Sequence, residues 1–104
     1  MITPSDLRKE IEERLKSYLS RDKSGIRKAL LGLIVKMKTV TVTEIHQTLS
    51  VAFEVSIHSV ASMVGTIASK FGILSVKKAK DGDLAVYELK PQYAELVERV
   101  IASA

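Results

Sequence analysis

The stretch SIHSVASMVGTIASKFGIL (residues 56–74) decides the fold of this 104-residue chain. Its apolar residues recur at helical spacing and fall within an arc of roughly 120° when each residue advances the helix by about 100°. They are Ile57, Val60, Ala61, Val64, Ile67, Ala68 and Phe71. Ser56 is a typical N-cap and Gly72 a typical left-handed terminator, so the stretch predicts a helix that ends at the glycine.

The remaining arc of this helix is polar but almost uncharged. It carries His58, Ser59, Ser62, Met63, Gly65, Thr66, Ser69 and Lys70, with no arginine. Short hydroxyl side chains allow close approach to a nucleic-acid groove, and helix N-terminal amides can bind a phosphate. Small residues around a glycine equally favour close packing of another helix or subunit. The arc by itself leaves both interpretations open.

Two helices are expected upstream of this stretch. Thr3 and Pro4 predict the start of the first, with an apolar face of Leu7, Ile11, Leu15 and Tyr18. DKSG (residues 22–25) interrupts the chain before a second helix at about residues 26–38. One of its sides carries Ile26, Leu30, Leu33 and Met37, and another carries Leu31, Ile34 and Val35. A helix that is apolar on two sides needs two neighbours: the core and either the first helix or a second copy of the chain.

The segments around the quoted stretch predict a small sheet and two further helices. TVTVT (residues 39–43) suits a short edge strand, after which Thr43 is expected to cap a helix to about Ala52 with Ile45 and Leu49 inward. Asp81-Gly82 predicts a two-residue hairpin turn. The resulting register pairs Leu74 with Leu89, Val76 with Tyr87, Lys78 with Ala85 and Lys80 with Asp83. Pro91 opens a last helix, whose apolar face carries Tyr93, Leu96, Val97, Val100 and Ile101.

Composition indicates one small soluble domain of a reducing cytoplasm. The chain has no cysteine, so disulfides and thiolate sites are excluded. Its beginning does not resemble a signal peptide, and its longest apolar run, residues 29–35, is too short to span a membrane. The net charge is +4, yet residues 40–69 contain no Lys or Arg. Positive charge on both sides of a neutral centre suggests a polyanionic partner without requiring one.

This order of elements resembles a winged helix-turn-helix domain. The implied fold is mainly α (α+β) in a single domain, 1–104, with a winged-helix core at 24–90 and flanking helices at 3–22 and 91–103. Residues 56–72 of the quoted stretch resemble the recognition helix of that family, and residues 73–90 resemble its wing. The whole chain is similar to a group of short archaeal proteins of unassigned function. Two features depart from the family pattern. SVAFEVS (residues 50–56) replaces the usual tight turn, which suggests an extended helix, and the recognition helix lacks its usual basic residues.

The resemblance implies binding of double-stranded DNA, as a transcriptional regulator or chromosomal accessory factor. The expected groove-facing residues are Ser56, His58, Ser59, Ser62, Met63 and Thr66. The expected backbone-contacting residues are Arg27 and Lys28 on the second helix and Lys77, Lys78 and Lys80 on the wing. Alternatively, the wing lysines only prevent the exposed sheet edge from pairing with another chain. The competing function is a winged-helix module for protein–protein interaction that binds no DNA.

Other functions lack a sequence signal. His46 and His58 are the only histidines and stand in no metal-binding motif, so neither a metal nor another cofactor is expected. No phosphate loop, nucleophile elbow or acid pair indicates an enzyme, and no small-molecule ligand is evident. The flanking helices either enlarge the core of a monomer or form a homodimer. We expect the homodimer, because two-fold operators suit two-fold proteins.

Overall fold

The structure is a computed structural model that describes residues 3–78 and 85–103. Within those residues the chain forms five α-helices, one π-helical turn and a three-stranded antiparallel sheet. In chain order the elements are α1 (Pro4–Ser20), α2 (Ile26–Met37), β1 (Thr39–Thr41), α3 (Val42–Leu49), α4 (Ile57–Thr66), the π-helical turn (Ile67–Phe71), β2 (Leu74–Lys78), β3 (Ala85–Leu89) and α5 (Pro91–Ser103). The order is the predicted one, a winged helix-turn-helix with one added helix at each end.

Helix α1 begins at the predicted cap and buries the predicted Ile11 and Leu15, but the stripe extends to Leu19 and excludes Leu7. The Thr3 hydroxyl accepts from the Asp6 N–H at 3.1 Å, and the Asp6 carboxylate accepts from the Thr3 N–H at 3.3 Å. The buried residues are Ile11, Leu15 and Leu19, whereas Leu7, predicted inward, is 42% exposed. Apolar residues spaced by four drift about 40° around the helix at each step. Leu7 therefore lies about 80° from the centre of the stripe at Leu15, which turns it outward.

Helix α2 finds both of its neighbours within the same chain. Leu30, Leu31 and Ile34 are completely buried. The helix contacts α5 and α3 and, less extensively, α1 and β1. Most of its two apolar sides is thus covered without a second copy of the chain, while Met37 at the end of the helix is 39% exposed.

Helix α3 starts and ends earlier than predicted. Its cap is Thr41 rather than Thr43: the Thr41 hydroxyl accepts from the Glu44 N–H at 3.1 Å, and the Glu44 carboxylate accepts from the Thr41 N–H at 3.0 Å. Thr41 is the cap because Glu44 stands three residues after it, as a capping box requires, whereas Thr43 has no Glu or Gln at that spacing. Ile45 and Leu49 are buried as predicted.

The prediction of an extended helix through SVAFEVS is wrong. Helix α3 ends at Leu49, and the carbonyl of that residue accepts from the N–H groups of Ala52 and Phe53 in a turn. The side chains of Phe53 and Val55 pack against the core, which pulls the segment away from a helical path. The His46 Nε2 lies 3.0 Å from the Val55 carbonyl oxygen and ties the segment back to α3.

Helix α4 and the π-helical turn follow the quoted stretch closely. The Ser56 hydroxyl accepts from the Ser59 N–H at 3.1 Å, which confirms the predicted cap. Val60, Val64 and Ile67 are fully buried. Ala61, predicted inward, is exposed because it lies at the edge of the apolar arc. Ile57, also predicted inward, lies near the middle of the arc but is 43% exposed at the first position of the helix. Gly72 ends the turn at φ 64°, in the left-handed region where a side chain is strained.

The sheet has the order β1-β3-β2, so β1 lies at an edge, as predicted. Strand β3 pairs with β2 in the predicted register, Leu74 with Leu89, Val76 with Tyr87 and Lys78 with Ala85. Leu74 and Leu89 are buried at the base of the wing, whereas Val76 on the same face is 52% exposed because it lies further from the core. The expected Asp81-Gly82 turn, with Lys80 and Asp83, lies outside the described residues.

Candidate nucleic-acid interface

The outer surface of α4 is the predicted reading surface. Its helix is fixed from behind by Val60 and Val64, so the opposite side points to solvent. His58, Ser59 and Ser62 are exposed there, and Thr66 is half-buried at the margin. Helix α4 itself contains no Lys, Arg, Asp or Glu, as the sequence indicated.

The hydroxyl groups on this surface differ in how far they are engaged. The Ser56 hydroxyl caps the helix and donates to the Ser59 Oγ at 3.1 Å. The Thr66 hydroxyl donates to the Ser62 carbonyl oxygen at 2.9 Å, which leaves its lone pairs as acceptors. Neither the Ser62 hydroxyl nor the His58 imidazole bonds to any residue that the structure describes. Ser62 and His58 are therefore the side chains best placed to bond to a partner.

Met63 differs from the other predicted groove-facing residues. Its side chain is half-buried and packs against the core. It lies on the flank of α4 that turns toward α1, near Tyr18 and Phe71. A contact between Met63 and a base would thus have to come from the side of the helix.

Of the three wing lysines predicted to contact the DNA backbone, Lys77 has a described side chain. The Lys77 Nζ lies 4.0 Å from the Glu88 Oε1 on the paired strand, and the Lys77 side chain is 70% exposed. An exposed pair at that distance contributes little, so the ammonium group remains accessible to a phosphate. The backbone of Lys78 pairs within the sheet, but its side chain and the whole of Lys80 lie outside the described part of the chain.

Arg27, predicted to contact phosphate, is engaged inside the protein. Its guanidinium carbon lies 4.3 Å from the centroid of the Tyr18 ring. Its Nη1 donates to the Tyr18 carbonyl oxygen at 2.9 Å. Burial raises the pKa of Tyr18 above its ordinary value of 10.0, the Arg27 charge lowers it, and Asp22 raises it. The neighbouring Lys28 is exposed, and its backbone N–H donates to the Asp22 carboxylate at 3.1 Å.

A cleft of about 690 Å³ separates α1 from α4 and the π-helical turn. It is lined by Arg14, Ser17, Tyr18, Arg21, Arg27, Ser62, Met63, Thr66, Lys70 and Phe71. Four of these described lining residues are cationic and none is acidic. We name this feature the basic cleft. It joins the outer surface of α4, since Ser62 and Thr66 belong to both.

The sequence interpretation missed the contributions of Arg14, Arg21 and Lys70 to the basic cleft. Arg14 forms an i to i+4 ion pair with Glu10 at 2.6 Å, a spacing that by itself explains its presence on a helix surface. The available signal was the spacing of Arg14, Ser17, Tyr18 and Arg21, which places two arginines on one face of α1 beside its apolar stripe. Only the packing of α1 against the π-helical turn reveals what that face meets.

The described residues offer neither a metal site nor a membrane span. No group of three or more His, Cys, Asp or Glu side chains within 3–78 and 85–103 is arranged to hold a metal ion. Over the same residues, no helix has the length and apolar character needed to cross a membrane.

Comparison with known proteins places the chain among proteins without an assigned activity. A family model described as "Protein of unknown function (DUF2551)" matches residues 15–97. An uncharacterised protein of Archaeoglobus fulgidus is 41% identical over 93 residues, which cover 88% of this chain and 93% of that protein. These matches confirm the predicted similarity to short archaeal proteins.

A solved structure confirms the predicted fold. The crystal structure of a mutant MarR from E. coli, complexed with operator DNA, matches with a TM-score of 0.60 at 20% identity. The match covers 90% of this chain and 65% of the MarR chain, so this chain spans slightly less than two thirds of that protein. At this identity the likeness shows the winged-helix fold alone.

Proposed function

The chain belongs to the DUF2551 family of proteins of unknown function, and we propose that it binds double-stranded DNA through its winged helix, with α4 in the major groove. The observation that carries the proposal is the outer surface of α4. There, His58, Ser59 and Ser62 are exposed on a helix whose opposite side is anchored by the completely buried Val60 and Val64. A rigidly held helix with short polar side chains is suited to approach base edges closely. The fold supports the proposal, because the MarR structure that shares it contains operator DNA.

Positive charge for this binding would come from outside α4. Lys77 extends an accessible ammonium group from the wing, and Lys78 and Lys80 follow it in sequence. Lys28 is exposed at the start of α2. Arg27 would contact a phosphate only while retaining its stacking on Tyr18. In this division of labour, phosphate contacts position the protein, and the neutral side chains of α4 distinguish bases.

The proposal includes the domain organisation of the protein, its oligomeric state and its cellular role. We propose a single domain, 1–104, in which the core at 24–90 carries the DNA-binding surface and the helices at 3–22 and 91–103 support it. The protein would act in the cytoplasm as a homodimeric transcriptional regulator or chromosomal accessory factor. It would be a binding protein rather than an enzyme, with no cofactor and no small-molecule ligand.

A second function is favoured by the small residues of the same surface. Ala61 is exposed, and a Cβ added at Gly65 would meet nothing within 4 Å. Together with Ser62 they form a flat surface on which a helix of another protein could pack. The alternative is therefore a winged-helix module for protein–protein interaction that does not bind DNA.

Fluorescence-anisotropy titration of labelled duplexes across a salt series separates these functions. The wild type should bind random duplex DNA at low salt, with an affinity that falls linearly in log K against log salt. A His58→Ala/Ser62→Ala variant should keep that slope. On a selected site it should lose roughly 1–3 kcal/mol of discrimination for each base contact removed.

The matched control for this experiment is Ser5→Ala/Gln92→Ala. It changes two exposed neutral residues of α1 and α5 and should behave as the wild type. Absence of binding to any duplex at low salt would leave the interaction module as the function.

A further inference from the structure

The basic cleft places more cationic side chains beside α4 than the wing does in the described residues. Its cations come from three elements: Arg14 and Arg21 from α1 and its end, Arg27 from α2, and Lys70 from the π-helical turn. Tyr18, Met63 and Phe71 form its apolar part. The concentration of positive charge without an acidic lining residue favours an anionic partner.

The four cations are not equally available. Arg14 pairs with Glu10 at 2.6 Å, and its Nη1 lies 3.5 Å from the Lys70 carbonyl oxygen. Arg27 is held by Tyr18. Arg21 and Lys70 are both exposed, and their side chains have no hydrogen bond or ion pair to any described residue. Arg21 and Lys70 are therefore the groups that can bind an anion without breaking an internal contact.

The position of the basic cleft indicates what kind of anion it meets. Ser62 and Thr66 lie both in the cleft and on the surface proposed to enter the groove. A DNA strand whose bases face Ser62 would bring its phosphates to the same flank of α4. A small-molecule site usually offers a few enclosed polar groups that fix the ligand. Here the free cations are exposed, and no described side chain has a buried polar atom without a partner.

We propose that the basic cleft binds a phosphodiester of the DNA backbone, with Arg21 and Lys70 as the contacting residues and α1 as a DNA-contacting element. The inference rests on the proposed function and extends it to a part of the chain outside the winged-helix core. It also explains how a recognition helix without arginine can belong to a DNA-binding protein. Helix α1 and the π-helical turn supply, beside α4, the charge that α4 lacks.

The test compares two double variants that remove the same number of charges. Arg21→Ala/Lys70→Ala removes the two free cations of the basic cleft. Lys9→Ala/Lys16→Ala removes two exposed cations from the opposite side of α1. Anisotropy titrations over a salt series should show a slope of log K against log salt that is shallower by up to about 2 per bound subunit for the first variant. Its affinity should fall equally on selected and scrambled duplexes, while the Lys9/Lys16 control keeps the wild-type slope.

Further variants make each outcome decisive. Arg21→Lys/Lys70→Arg keeps both charges and should restore the slope, and thermal melting by circular dichroism checks that every variant is folded. If the cleft double variant did not fold, Arg21→Glu alone should still weaken binding on every duplex. Equal slopes for the cleft variant and the Lys9/Lys16 control, with the wild type bound to DNA, would overturn this inference and leave the proposed function standing.

Inorganic phosphate distinguishes DNA from a free anion as the occupant of the cleft. If Arg21 and Lys70 bind the backbone, phosphate at constant ionic strength should compete with DNA in the wild type and less in the cleft variant. Phosphate binding that is lost in the cleft variant, together with an unchanged DNA slope, would assign the cleft to a free anion and overturn the inference. A wild type that binds no duplex would overturn both the inference and the proposed function.

Discussion

The guanidinium of Arg27 lies over the ring of Tyr18, 4.3 Å from its centroid, while donating to the Tyr18 carbonyl oxygen at 2.9 Å. The Tyr18 ring in turn meets the ring of Phe71 edge-on, with centroids 5.4 Å apart. This series of contacts connects α2 to α1 and α1 to the π-helical turn. It therefore sets the position of α1 beside α4 and, with it, the basic cleft.

Replacing Arg27 should cost stability before it affects binding. Arg27→Ala removes the stacking on Tyr18 and a charge-assisted hydrogen bond, so the free energy of unfolding should fall by roughly 1–3 kcal/mol. Arg27→Lys keeps the charge but loses the planar group, so its free energy of unfolding should lie between those of the wild type and Arg27→Ala. Urea denaturation measures both, with the exposed Lys36→Ala on the same helix as control, expected within about 0.5 kcal/mol of the wild type. An Arg27→Ala protein as stable as that control would show that Arg27 serves only external contacts.

The raised pKa of Tyr18 predicts a loss of stability at alkaline pH. Burial is the main cause of the shift above the ordinary value of 10.0. The folded state therefore keeps its phenolic proton after the unfolded state has lost it. This contribution is fully present below the unfolded pKa of about 10 and disappears as the pH rises through the folded pKa.

Tyr18→Phe isolates that titration from the other groups that ionise at alkaline pH. Urea denaturation from neutral pH to above about pH 10 should show a steeper fall in stability for the wild type than for Tyr18→Phe. Ultraviolet difference spectra between the two proteins should place the Tyr18 midpoint above 10.0. A midpoint at or below that value, with parallel stability curves, would contradict the burial of the phenol.

The sequence predicted the wing and the recognition helix well because their signals are local. The pairing of Leu74 with Leu89 and of Val76 with Tyr87 followed from a turn motif and an alternating pattern, and the described strands have that register. The Ser56 cap and the Gly72 terminator are also local signals. The grouping of Arg21 with Lys70 was not predictable in this way. It depends on the packing of α1 beside the π-helical turn, through contacts of residues far apart in the chain.

The N-cap of α3 is Thr41 and not the predicted Thr43, and this difference can be tested by mutation. Thr41→Ala removes a hydroxyl that caps the helix, and the free energy of unfolding should fall by about 1 kcal/mol. Thr43→Ala, at the position expected to be the cap, alters neither partner of the Thr41–Glu44 capping box and should cost less. Thermal or urea unfolding of the two variants compares them directly. A larger loss for Thr43→Ala would restore the original assignment of the cap.

The homodimer remains a prediction, but the apolar sides of α2 no longer support it. The two apolar sides of α2 suggested a second copy, but α5, α3 and α1 of the same chain cover most of them. What remains is the two-fold symmetry of typical operators, which a two-fold protein matches. Among the described residues, Leu7 on α1 and Met37 on α2 are large apolar side chains still exposed on helices outside α4.

Light scattering after gel filtration at micromolar concentration tests the homodimer and should give twice 11.4 kDa for the free protein. Leu7→Lys should shift that mass toward the monomer if α1 forms the interface, because a charged side chain would then be buried between subunits. Lys16→Ala on the opposite part of the helix is the control. A free protein of 11.4 kDa that binds DNA as single subunits would exclude a preformed dimer, and a palindromic site would then have no basis in the protein.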